Sequence, residues 1–149
     1  MLHPIYKEEL RFITWVLTWP DIRFLLFTHA GDSIESWGFG GTGKKSTNKK
    51  FLDYGIPFGD GDVIGVVIDL DALTLAYTKN GQFLGTAFEL PQRVRETGLF
   101  PHIYVKNFDF TVNFKGDKPW FKPPGSGITF IGDVKLHVGY QHLAKQLLT

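Results

Sequence analysis

The residues of this chain that could do chemistry concentrate in Gly38-Phe-Gly-Gly-Thr-Gly-Lys-Lys-Ser46, continued by Thr-Asn-Lys-Lys50. A glycine-rich loop ending in Gly-Lys can cradle phosphates, with backbone amides around the oxygens and the lysine on the terminal group. Gly38 to Lys44 fits the G-x-x-x-x-G-K spacing, but the next residue is Lys45, where a hydroxyl must ligate magnesium. The residues after Ser46 have no helical period and read as loop, so no helix N-terminus is available to the phosphates. The stretch is therefore expected to be a basic, flexible loop on a sheet protein rather than a nucleotide-binding loop. Two readings of its charge compete. Lys44, Lys45, Lys49 and Lys50 either keep a glycine loop solvated or displace counterions from a nucleic-acid backbone. Gly40, Gly41 and Gly43 would let a partner approach the backbone closely. Trp37 stands beside the loop, either as a stacking platform or as core.

No catalytic or metal constellation assembles from the remaining residues. His3, His29, His102, His137 and His142 show no metal-ligand spacing, and there is no Cys. Asp60, Asp62, Asp69 and Asp71 lack the spacing and terminal Glu of a calcium loop and read as turn residues. No catalytic residue, metal or cofactor is expected.

A chain of 149 residues fits one domain with a proper core. Its 43% hydrophobic and 21% charged residues belong to the globular class. Fourteen Phe, four Trp and five Tyr favour a thick core between sheets. A net charge of +1 excludes a broadly cationic nucleic-acid binder, so the basic character is local. The absence of Cys leans towards a reducing compartment. The apolar run from Phe12 to Phe27 is broken by Pro20, Asp21 and Arg23 and is too short for a membrane span. These features read as a soluble intracellular protein.

The elements that must position the loop are strands. Val63 to Leu70 is a β-branched run, and Leu73 to Thr78 and Gln82 to Phe88 flank Asn80-Gly81, the strongest short hairpin signal. Leu99 to Val105 continues the pattern. Phe108, Phe110, Val112 and Phe114 alternate with polar residues as a half-buried antiparallel strand would. Tyr6 to Phe27 reads either as two strands about Trp19-Pro20-Asp21 or as a helix over Pro4 to Thr18. With no long amphipathic helix elsewhere, the expected class is an all-β antiparallel sandwich.

An ordered set of motifs carries a resemblance. Trp37-Gly-Phe-Gly-Gly-Thr-Gly-Lys-Lys-Ser46, Asp53-Tyr-Gly55, Asp62-Val-Ile-Gly65, Tyr77-Thr-Lys-Asn-Gly-Gln82, Leu84-Gly-Thr-Ala-Phe88, Leu99-Phe-Pro101, Val105-Lys-Asn107 and Val112-Asn-Phe114 occur in this order in SPRY domains. The pattern is most similar to the SPRY insert of a DEAD-box RNA helicase, and next to the SPRY domain of heterogeneous nuclear ribonucleoprotein U. The resemblance implies a concanavalin-like β-sandwich over residues 36–115, a divergent segment over 1–35 and an extension over 116–149. The Arg-x-Gly-Trp-Ser and Gly-Lys-Tyr-Tyr-Glu-like segments of the first strands are absent, so those strands are missing or replaced and an unpaired sheet edge is expected. The implied function is a non-catalytic module of an ATP-dependent RNA helicase, contacting protein or RNA in nucleus and cytoplasm. A protein–protein adaptor unrelated to helicases is the alternative.

Overall fold

The computed structural model describes residues 9–16, 35–97, 99–106, 110–130 and 133. Two compact units divide the chain, Met1–Phe110 and Thr111–Thr149. The first holds every described strand.

One sheet has five strands in the order β4-β3-β2-β1-β8, and the other has three in the order β5-β6-β7. The strands are β1 Glu9–Val16, β2 Ser36–Phe39, β3 Lys44–Thr47, β4 Lys50–Asp53, β5 Ile64–Asp69, β6 Thr74–Lys79, β7 Gln82–Glu89 and β8 Phe100–Lys106. All pairings are antiparallel. A single helical turn, α1 Val94–Thr97, links β7 to β8 and is anchored by buried Val94.

The all-β class thus holds. The β-branched run became β5, and the Asn80-Gly81 turn joins β6 to β7 with φ of 49° and 81° at its two residues, as a type I′ turn demands. Asp69 closes the β5–β6 connection by accepting the amides of Asp71 and Ala72 at 2.9 and 2.8 Å. Asp62 likewise accepts the Gly59 amide at 3.0 Å. These carboxylates hold turns, as their spacing implied.

Three expectations change. Of the two readings of the N-terminal segment the strand holds over Glu9–Val16, and β1 lies between β2 and β8, with Ile13 opposite both Phe39 and Ile103. The expected open edge at this place in the sheet is therefore filled; the rest of residues 1–34 lies outside the described residues. The basic segment is not a loop but two tight hairpins. β2 turns through Gly40–Gly43 into β3, and β3 turns through Asn48 and Lys49 into β4. Both residues of the second turn have positive φ, 48° and 60°, so Thr-Asn-Lys-Lys makes a two-residue turn without the glycine that usually announces one.

The third change concerns Phe110, Val112 and Phe114. Residues 110–115 form no strand, and the three side chains are exposed; Phe108 lies outside the described residues. Alternation makes a strand only where a neighbour accepts the ladder. Here Asn113 takes up the backbone locally, accepting the Lys115 amide at 3.0 Å and donating to the Lys118 carbonyl at 2.8 Å.

The core sits between the two sheets. Trp37 and Phe39 of β2 meet Leu75 and Tyr77 of β6, Ala87 and Phe88 of β7, and Phe58, Leu90 and Val94 from the connections. Phe39 is its centre, fully buried, with ring centroids 4.9 Å from Phe58, 5.0 Å from Tyr77 and 5.4 Å from Tyr54. Burying such a ring contributes about 2–3 kcal/mol. That packing sets the distance that side chains must cross to bridge the two sheets.

Candidate functional site

Successive side chains of a strand point to opposite faces, and this alternation divides the lysines. Lys44 points outward and pairs with Asp53, its cross-strand partner on β4, at 3.0 Å. Lys45 shares the inward face with Phe39, opposite which it lies in the β2–β3 register. Its ammonium reaches across the gap between the sheets and donates to the Ala87 carbonyl at 2.6 Å. It lies 5.6 Å from the Tyr54 ring centroid and 5.3 Å from that of Phe88, within cation–π range of both. Lys49 stands at the tip of the β3–β4 turn and Lys50 at the start of β4, both exposed. The four lysines are therefore not one patch. One is paired, one is turned inward, and two face solvent with no ion pair among the described residues.

The glycines serve the chain itself. The Gly40 amide donates to the Lys44 carbonyl and the Gly43 amide to the Gly40 carbonyl, each at 2.9 Å. The carbonyls of Gly41 and Gly43 accept the amides of Phe58 and Gly55 at 2.9 and 2.8 Å. At Gly43, φ is 81° and an added Cβ would lie 2.8 Å from the Gly55 oxygen and 2.9 Å from the Pro57 nitrogen. The close approach expected of a partner is made by residues 55–58. Trp37 is 4% exposed and belongs to the core, so it is no stacking platform.

β7 supplies the other wall. Its register against β6 shifts twice, between Leu75 and Ala76 and between Ala76 and Thr78, leaving extra residues on β7 around Ala87 and Gly85. Side chains from the opposite sheet cap both carbonyls: Lys45 on Ala87, and the Tyr54 hydroxyl on Gly85 at 2.6 Å. The Tyr54 oxygen also accepts the Tyr77 amide at 3.2 Å.

Between these walls runs an open groove of about 490 Å³. Lys45, Thr47 and Leu52 line one side, and Thr86, Ala87, Phe88 and Glu89 the other. Leu52 is 55% exposed although it lies opposite Lys45 in the β3–β4 register.

Burial pushes the Tyr54 hydroxyl up, partly offset by its bond to the Tyr77 backbone. Burial, and then the neighbouring Tyr54, push Tyr77 up further. Both hydroxyls stay protonated and act as hydrogen-bond donors. Burial lowers His102, which therefore stays neutral on β8. Among the described residues no three His, Asp or Glu side chains converge as metal ligands would.

Of the candidate binding residues named from the sequence, only Lys45 lines the groove. Leu52 and Glu89 were not anticipated, since their meeting depends on how the sheets face each other, and Phe88 was visible only as the end of the Leu84-Gly-Thr-Ala-Phe88 motif. Tyr54 was visible only as part of the Asp53-Tyr-Gly55 motif.

Comparisons with known proteins match this architecture. The chain is 46% identical over 96 residues to the ATP-dependent RNA helicase Ddx1 of Drosophila melanogaster, covering 64% of this chain and 13% of that protein. It is 49% identical over 85 residues to the probable ATP-dependent RNA helicase ddx1 of Dictyostelium discoideum, covering 56% and 11%. To heterogeneous nuclear ribonucleoprotein U-like protein 2 of Mus musculus it is 36% identical over 98 residues, covering 63% and 13%. The matched region is thus a small fraction of each relative's length. The family model described as SPRY domain matches residues 17–117, which takes in both hairpins, the bulged β7 and the groove between them; the chain belongs to the SPRY domain family.

Proposed function

We propose that this chain is a non-catalytic contact module of a DEAD-box-type ATP-dependent RNA helicase, and that its partner is a protein. Kinship with two helicases at 46% and 49% identity supports the first part. A heterogeneous nuclear ribonucleoprotein U-like relative supports RNA-linked work, and placement in nucleus and cytoplasm belongs to the same reading. The observation that favours protein over RNA is the division of the lysines. Of the four lysines of this segment, Lys44 is paired and Lys45 turned inward, so Lys49 and Lys50 are the two that face solvent with no ion pair among the described residues. Two phosphate contacts on a single strand give a salt slope of about −1.4, against about −2.8 for four. That supports weak association with RNA at most.

RNA phosphates remain the second reading, carried by those two exposed lysines on one hairpin tip. A salt titration with single-stranded oligouridylate separates the two. Binding that is weak, with a slope no steeper than about −1.4 that vanishes in Lys49→Ser/Lys50→Ser, fits a protein-contact module. A slope near −2.8 with tight binding would instead make RNA the partner.

A further inference from the structure

Among the described residues Lys45 is a cation without an acidic partner. Its ammonium carries three donors, of which one meets the Ala87 carbonyl, and among the described residues no carboxylate forms an ion pair with it. Beside these rings, Lys45 lines the groove. Directly across the β3–β4 ladder stands Leu52, more than half exposed. The hairpin tip adds Lys49 and Lys50, while Glu89 is the one acidic residue of the lining. The groove's volume falls in the range of ligand sites, roughly 300–1,000 Å³.

The walls dictate the form of the occupant. Among the described residues β4 pairs only with β3, and β7 only with β6. An incoming strand could add to β7, but its shifted register around Gly85 and Ala87 spoils the regular row of donors and acceptors that strand addition needs. Side chains must therefore carry the recognition. Lys45 and Leu52 are a directly opposed pair, so their Cβ atoms lie roughly 5 Å apart on one face. An extended ligand presents side chains on one face at alternate positions, about 6.6–6.8 Å apart.

Resting on the reading of the chain as a protein-contact module, we propose that the groove between β3–β4 and β7 binds a short extended peptide of the pattern acidic–any–apolar, its carboxylate on Lys45 and its apolar side chain on Leu52 and Phe88. The carboxylate completes the coordination of the ammonium while leaving the Ala87 bond in place. Glu89 disfavours a second acidic residue on that side, which sets the direction of the peptide.

The test is a nuclear magnetic resonance titration of the intact chain with the peptide Gly-Ser-Glu-Thr-Leu-Ser-Gly and with its Gln-for-Glu counterpart. The acidic peptide is expected to shift the amides of Lys45, Leu52, Ala87 and Phe88 and to bind roughly tenfold tighter than the Gln form, as a charge-assisted hydrogen bond implies. Lys45→Met, which keeps the aliphatic stem, and Leu52→Glu, which alters only an exposed wall, are each expected to weaken it at least tenfold. Leu52→Glu keeps the test decisive should Lys45→Met fold poorly. Equal binding of the two peptides, or no loss with Leu52→Glu, overturns the proposal. Peptide shifts confined to another surface overturn the groove while leaving the contact-module reading standing. Shifts of these residues by oligouridylate and not by the peptide overturn both.

Discussion

The Tyr54 hydroxyl donates to the Gly85 carbonyl at 2.6 Å, joining the end of one sheet to the bulged edge of the other. The same oxygen accepts the Tyr77 amide at 3.2 Å, so one phenol serves a donor and an acceptor where β6 and β7 fall out of register. Tyr54→Phe keeps the ring against Phe39 and removes only the oxygen. Leaving part-buried backbone groups unpaired costs about 1–3 kcal/mol. A urea titration should show a lower midpoint with an unchanged slope.

Lys45 plays the equivalent part at Ala87. Lys45→Met should therefore lower stability by about 1–2 kcal/mol, since it uncaps a carbonyl while preserving the packed stem. Lys49→Ser/Lys50→Ser, at the exposed turn, should leave the melting temperature nearly unchanged. Equal melting of all these variants with the parent would show that Lys45 is not a structural cap.

The two turns of the basic segment make opposite demands on glycine. Gly43→Ala places a Cβ against backbone atoms at 2.8 and 2.9 Å with φ at 81°, and should destabilise by about 2–4 kcal/mol. Lys49 holds φ of 60°, a conformation costly to a residue with a side chain. Lys49→Gly relieves that strain, outweighing the greater unfolded-state entropy that glycine brings, for a net gain of about 0.5–1 kcal/mol. Chemical denaturation of the two variants reads both signs.

Asp62 ties the Asn80 turn to the loop before β5. Its carboxylate accepts Asn80 Nδ2 at 2.7 Å and pairs with Lys79 at 3.1 Å. The Asn80 hydrogen bond foremost, with the Gly59 amide and Lys79, holds it below its ordinary value of 3.8. A depressed folded-state value means that the stabilisation is present above 3.8 and fades as pH falls through the lower folded value. Asp62→Asn should be less stable than the parent at neutral pH, and the gap should narrow in acid. Urea midpoints at neutral and acidic pH test this.

The glycine-lysine segment should not support nucleotide hydrolysis. Lys45 occupies the place of the magnesium hydroxyl, and the Gly40 and Gly43 amides donate within their own turn. Phosphate release from ATP should stay at background with and without RNA. Turnover abolished by Lys44→Ala would contradict this.

Local chemistry was legible in the sequence where it was self-contained. The Asn80-Gly81 turn, the β-branched run of β5, the turn carboxylates of Asp62 and Asp69 and the SPRY motif order each depend on a few neighbouring residues. Short β3 and β4 have no apolar alternation to betray them, since they read Lys-Lys-Ser-Thr and Lys-Phe-Leu-Asp. The alternating Phe110, Val112 and Phe114 carry the pattern without the strand, since pattern selects a face but cannot supply the neighbour that completes a ladder. Whether Lys45 or Lys44 turns inward was set by register against Phe39, and the groove exists only because β7 comes to lie opposite β3 and β4. Sequence determined the turns and the family; the facing of the two sheets, driven by burial of Phe39 and Tyr77 between them, decided which residues of that family's motifs form a site.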